Sequence, residues 1–254
     1  MTAGGRSQRR ERTASARLGA PHPPLPGHAP HACAEPATAR ARRRLIVTAT
    51  GIGGAGLLGI SLSTKLGPPQ FYILTMGLAG TWAGGALSSG PLPLNMHQDR
   101  DGTRCRAIVM PVLTGAGAFG VSYGAARLAR HVPPLNRAIA SVLRYADDGS
   151  TRLVLLTVGA NAVAEELFFR GALWSLAEKS HPIVKTTLAY AATTAATRNP
   201  ALVLAGTGTS VLFGLQRRTS GGFLAPALSH LTWSLLMLRY LPPLFPAHRR
   251  PPHS

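Results

Sequence analysis

Residues 153–177 read LVLLTVGANAVAEELFFRGALWSLA. The run is long enough to cross a hydrocarbon core, which takes about 20 apolar residues. Yet Glu165, Glu166 and Arg170 stand near its middle. Centring one ionisable group in a membrane helix costs roughly 2.5–3.5 kcal/mol on insertion scales. Three such groups are tolerated where they face a polar cavity and partner one another. Glu166 and Arg170 are spaced i, i+4, so they share a helix face and can pair. Glu165 points about 100° away from Glu166, which leaves it free for other work. Phe168, Phe169 and Trp174 are expected to pack around the three. A salt-bridged helix of a soluble protein has the same spacing, but the apolar setting argues against it.

The rest of the chain agrees with a membrane setting. Its 254 residues carry 27 Lys+Arg against 9 Asp+Glu, a formal net charge of +18. Only 14% of residues are charged, against about 25% in ordinary soluble domains. Nine arginines lie between Arg6 and Arg44, and the remaining charge clusters between long apolar stretches. A nucleic-acid binder would spread its charge along the chain and offer stacking surfaces. Aromatics are 6% here, so no nucleic-acid partner is expected. Two cysteines, Cys33 and Cys105, cannot make a disulfide framework.

These features predict an all-α fold: a polytopic transmembrane helical bundle of about seven spans, with a disordered basic N-terminal tail. The tail is residues 1–44, the transmembrane domain 45–243, and a short tail 244–254. Candidate spans fall at 45–63, 71–90, 107–126, 153–176, 183–197, 201–216 and 223–241. Glycines in the first three are read as helix-packing residues, because small side chains let helices approach closely in lipid. Residues 135–146 (LNRAIASVLRYA) are amphipathic and suit a membrane surface. Arg42, Arg43 and Arg44 place the N-terminal tail in the cytoplasm. The scarcity of lysine, three in all, suits a GC-rich bacterial genome, so the bacterial plasma membrane is the expected location and the bilayer the first partner.

A second polar feature lies near the other end, in GLQRRTSGGFLAPALSHLTWS (214–234). His230 sits inside an apolar run, and Ser234 follows one turn later on the same face. LFGLQRRTSGG (212–222) reads as a polar turn between two helices. Pro226 is expected to loosen the second helix one turn before His230 and free a carbonyl.

Taken together, AEELFFRG and the 214–234 stretch resemble two motifs of the CPBP intramembrane proteases. That family includes the CAAX prenyl endopeptidases and the bacterial Abi immunity proteins. The first motif is E-E-x-x-x-R; the second is H-x-x-x-N/D/S after a basic turn. The likeness covers about 153–240. It implies an endopeptidase that hydrolyses a peptide bond of a membrane-associated peptide or protein. Glu165 would activate a water, Glu166 and Arg170 would form a supporting ion pair, and His230 and Ser234 would donate hydrogen bonds to an oxyanion. The family's middle motif, F-x-x-x-H, matches AYAATTAATRNPALV (189–203), which has no histidine. Thr194 or Thr197 would stand in its place. The family's divalent metal, such as zinc, would then have only Glu165 and His230, and zinc wants at least three good ligands. The alternative reading is a catalytically degenerate member that binds a membrane peptide as a scaffold or immunity protein.

Overall fold

The computed structural model describes residues 36–63, 68–94, 104–147 and 151–246. Among these residues the chain is helical and has no strand. The helices are α1 (Ala37–Ser63), α2 (Pro68–Ser88), α3 (Arg104–Ala129), α4 (Pro133–Asp147) and α5 (Thr151–Glu166). α5 continues through a π-helical turn, Leu167–Leu173, into a last turn, Trp174–Ala177. α6 (Pro182–Ala195), α7 (Pro200–Ser220) and α8 (Leu224–Tyr240) follow, with a 3₁₀ turn at Pro242–Leu244.

Every apolar run read from the sequence falls on a helix. Among the described residues two helices, Ala37–Leu62 and Ala107–Ala129, are long and apolar enough to cross a membrane, so the fold is helical as expected but the seven spans are not shown. The outer surface is rich in large apolar side chains, among them Ile52 and Ile73, each 71% exposed, and Val121, 76% exposed. Water penalises apolar surface displayed on this scale, and lipid does not.

Most of the expected disordered tail, residues 1–35, lies outside the described residues, as do 247–254. The part from Ala37 to Arg44 is not tail: it forms the first turns of α1. Arg43 is buried there, and its Nε donates to the Ser89 carbonyl at 3.1 Å. The next residue, Gly90, has φ +128°, and a Cβ on it would meet the Arg43 guanidinium at 2.6 Å. The positive φ calls for glycine, and a side chain there would also displace the Arg43 guanidinium. One arginine of the 42–44 cluster thus ties α1 to the chain leaving α2.

The core gathers on Trp82 of α2. Its ring packs on Phe168 and Phe169 of the π-helical turn, with centroids 4.7 Å and 5.3 Å away. Val47, Leu78, Ala86, Ala164 and Ala172 fill the space around them. The aromatic pair inside E-E-L-F-F-R therefore anchors the charged turn against α2.

Close packing accounts for fewer glycines than the sequence suggested. Gly54 lies under the Trp82 ring, Gly85 against Thr50, and Gly115 against the Ser229 carbonyl and Thr232. Gly53, Gly56, Gly77, Gly80, Gly84, Gly117 and Gly120 face open space. The amphipathic stretch 135–146 is α4, with Leu143 buried and Arg137 and Arg144 exposed. Asn199, which caps α7 by accepting from the Leu202 N–H, also donates to the Ala138 carbonyl at 2.8 Å and so pins α4 to α7.

Two neighbouring glycines of α1 separate packing from propensity. Gly54→Ala is expected to destabilise the protein by about 1–3 kcal/mol through overpacking against Trp82. Gly53→Ala has room and is expected to be neutral or slightly stabilising. Unfolding midpoints of the two variants in detergent check this; equal midpoints would remove Trp82 from its place over Gly54.

Candidate active site

The charged turn is the centre of the polar interior. Glu166 and Arg170 are fully buried, and Arg170 Nη1 donates to Glu166 Oε1 at 3.1 Å. Arg170 Nη2 reaches α7, donating to the Ser210 carbonyl at 3.0 Å and to Ser210 Oγ at 2.9 Å. His230 of α8 places Nδ1 2.9 Å from the same Glu166 oxygen. One carboxylate oxygen thus joins α5 to α8, and one guanidinium joins α5 to α7. Glu166 Oε2 and Arg170 Nε are buried without a partner among the described residues. A buried pair with orphaned atoms is a poor source of stability.

The π-helical turn has a specific consequence. The Trp174 N–H bonds to the carbonyls of Phe169 and Gly171 and passes over that of Arg170. In an α-helix it would bond to residue 170. The Arg170 carbonyl instead accepts from Arg217 Nε at 2.8 Å. Single π-helical turns within α-helices are common at functional sites, where they redirect side chains and release backbone groups.

Glu165 is half-buried and is not left free. The Tyr190 hydroxyl of α6 donates to its Oε2 at 2.6 Å. Its other oxygen makes no hydrogen bond among the described residues. Tyr190 lies over Phe169, with centroids 4.8 Å apart, and under the Arg170 guanidinium at 5.5 Å. Gly206 of α7 makes room for it, since a Cβ there would meet Tyr190 Cε1 at 2.8 Å. The sequence reading passed over Tyr190, although it occupies the first position of the Y-A-A-T-T stretch aligned with F-x-x-x-H. The signal was there: tyrosine, unlike phenylalanine, carries a polar tip that wants a partner when buried.

Thr194 and Thr197 do not reach Glu165 with a hydrogen bond. Thr194 Oγ1 donates to the Tyr190 carbonyl at 2.8 Å, and Thr197 Oγ1 to the Thr194 carbonyl at 2.7 Å. Both hydroxyls are spent within their own helix end. Ser234 is half-buried one turn beyond His230 and makes no hydrogen bond to Glu165, Glu166 or Arg170. Pro226 does not loosen α8: it is the third residue of that helix, where a missing N–H breaks no helical bond. LFGLQRRTSGG is likewise not a turn throughout. α7 continues to Ser220, Gly221 closes it with φ 72°, and Arg217 is a buried helical residue.

The ligand set for a metal does not fit. Among the described residues no three His, Cys, Asp or Glu side chains group together. His230 Nδ1 and Glu165 Oε2 are each engaged by another side chain. Glu166, the nearest further carboxylate, spends its Oε1 on Arg170 and His230, so Glu165 and His230 do not form a three-ligand set among the described residues.

Residues 148–236 match the family described as Type II CAAX prenyl endopeptidase Rce1-like. No curated protein and no solved structure matches the chain. The match covers about a third of the chain and supports the resemblance to the CPBP family, whose Rce1-like members are membrane-embedded. The matched stretch holds Glu165, Glu166, Arg170, Tyr190, Arg217, His230 and Ser234.

A double-mutant cycle tests the central pair. Glu166→Gln and Arg170→Gln are each expected to destabilise the protein by about 3–5 kcal/mol, by leaving one buried charge uncompensated. The double variant is expected to lose less than the sum, by at least about 1 kcal/mol. Strict additivity in thermal or denaturant unfolding would mean that the two side chains do not share an interaction.

Proposed function

We propose that this chain is an intramembrane endopeptidase that hydrolyses a peptide bond of a membrane-associated peptide or protein, using a water activated by Glu165. One observation carries the reading. Glu165 is half-buried, with Oε2 fixed by Tyr190 and Oε1 unbonded, one residue before a turn locked by Glu166 and Arg170. A carboxylate held by one oxygen and open at the other is a positioned general base.

The water oxygen attacks the carbonyl carbon as its proton passes to Glu165. The carbonyl oxygen becomes an oxyanion, which donors at a fixed distance stabilise. The intermediate collapses, the C–N bond breaks, and Glu165 returns the proton to the leaving nitrogen. Ser234 and His230 are the donors assigned to the oxyanion. For His230 the geometry sets a condition. Its Nδ1 faces a carboxylate and so carries a proton, and Nε2 can donate only when the ring is an imidazolium. Tyr190 is a positioning residue, which orients Glu165. The same reading takes the remaining apolar helices as completing a bundle of about seven spans in a bacterial plasma membrane, with the N-terminal side in the cytoplasm.

A second reading has its own support. Thr194 and Thr197 offer no base at the middle motif, so the chain would bind a membrane peptide without cutting it. Reconstituted protein and a fluorogenic library of membrane peptides separate the two. Cleavage abolished in Glu165→Gln is expected. Tyr190→Phe is expected to lower kcat by roughly 10–100-fold, with KM little changed, as for other groups that orient a reacting one. Saturable peptide binding with no cleavage in any variant would replace the protease by the binding protein.

A further inference from the structure

We propose that the end of the bundle formed by α5, α6 and α7 holds a binding site for a phosphate-type oxyanion, centred on Arg217. A cavity of about 540 Å³ opens there, lined by Trp174, Glu178, His181, Pro182–Val184, Arg217, Arg218 and Gly221. Arg217 is 4% exposed. Its Nε is fixed by the Arg170 carbonyl at 2.8 Å, and its guanidinium lies 5.2 Å over the Trp174 ring. Its two terminal nitrogens make no hydrogen bond or ion pair among the described residues. A buried guanidinium held on one edge and stacked on a ring presents the other edge as a fork for an oxyanion.

The facing wall is the start of α6. His181 precedes that helix with φ 50° and does not cap it, and Pro182 follows. The Lys185 N–H bonds to the His181 carbonyl, whereas the N–H groups of Ile183 and Val184 have no partner among the described residues. An uncapped helix start carries free donors and the positive end of the helix dipole. Here it shares a cavity with an arginine whose terminal nitrogens make no hydrogen bond among the described residues. Arg218 adds a second guanidinium. Glu178 is the one carboxylate lining the cavity; it is exposed and acts on Arg217 electrostatically without a direct ion pair, so a ligand competes with it for the guanidinium. The balance of charge is positive.

The position selects the ligand chemistry. Arg217 and Arg218 follow directly on the apolar run 201–216, at the level where a membrane helix meets headgroups. Donors converge from two helix ends, which suits the several oxygens of a tetrahedral phosphate. Its source is a phospholipid headgroup or a free phosphate. The site stands apart from the peptidase reading, since it requires no bond to be broken.

Full-length protein in maltoside micelles, which carry no phosphate, gives the test. Trp174 lies against Arg217, so its emission reports the site. Sodium phosphate is titrated against sodium chloride at matched ionic strength, and phosphatidylglycerol against diacylglycerol doped into the micelles. A saturable change with phosphate or phosphatidylglycerol, absent with chloride and diacylglycerol, is expected. It should vanish in Trp174→Phe and need about tenfold more ligand in Arg217→Gln. Arg218→Gln, on the exposed rim, should weaken it less and provides the test if Arg217→Gln does not fold. Saturation by phosphatidylglycerol alone identifies a headgroup site, and by phosphate alone a site for a soluble anion. No saturable change in the wild type, a response that survives Trp174→Phe, or one untouched by both arginine variants overturns the proposal.

Discussion

The whole polar interior hangs on one carboxylate oxygen. Glu166 Oε1 accepts from Arg170 one turn later and meets His230 Nδ1 on α8. Arg170 in turn grips the Ser210 carbonyl and hydroxyl on α7. Three helices are thereby set in one register. Lipid offers no hydrophobic drive to hold helices together, so the register must come from packing and from contacts such as these. The cost is real, since two atoms of the pair stay buried and unpartnered. An arrangement that stores cost at the middle of a helix serves position rather than stability.

The π-helical turn shows how the position is obtained. Its wider turn lets Phe168 and Phe169 both pack on Trp82 while Arg170 faces the opposite way, toward α7. It also strands the Arg170 carbonyl, which Arg217 then claims. The second motif thus stabilises the first through backbone as well as side chain. Arg217 is in this sense a strut, and its place in the last turn of α7 also favours a cation, because the negative end of the helix dipole lies there.

The sequence carried the helices and the charged pair, and it did so for definite reasons. Apolar runs bounded by arginine mark helices wherever backbone polar groups must be satisfied within the segment. Spacing of i, i+4 put Glu166 and Arg170 together before any fold was known. What it did not carry depends on tertiary neighbours. Whether a glycine packs or faces outward is fixed by what crosses it: Gly54 and Gly53 are adjacent, yet only the former meets Trp82. Pro226 and Arg217 were misplaced because helix ends cannot be read to within a turn from composition. Glu165 was expected to be free because an i+1 neighbour points off the paired face. The π-helical turn and α6 together bring Tyr190 to it.

That last contact changes what the site can do. A histidine at the middle motif would bring a group able to take up a proton or hold a metal. The tyrosine hydroxyl does neither; it donates its proton to Glu165 Oε2. Its proton fixes one carboxylate oxygen and leaves the carboxylate charge in place, so basicity is still supplied by Glu165 alone. Gly206 is the price of this exchange, since any side chain there would push the phenol ring off Glu165. The tyrosine at 190, the glycine at 206 and the threonine at 194 thus form one packed arrangement. Thr194 ties its hydroxyl to the Tyr190 carbonyl and so holds the α6 turn from which the phenol reaches across.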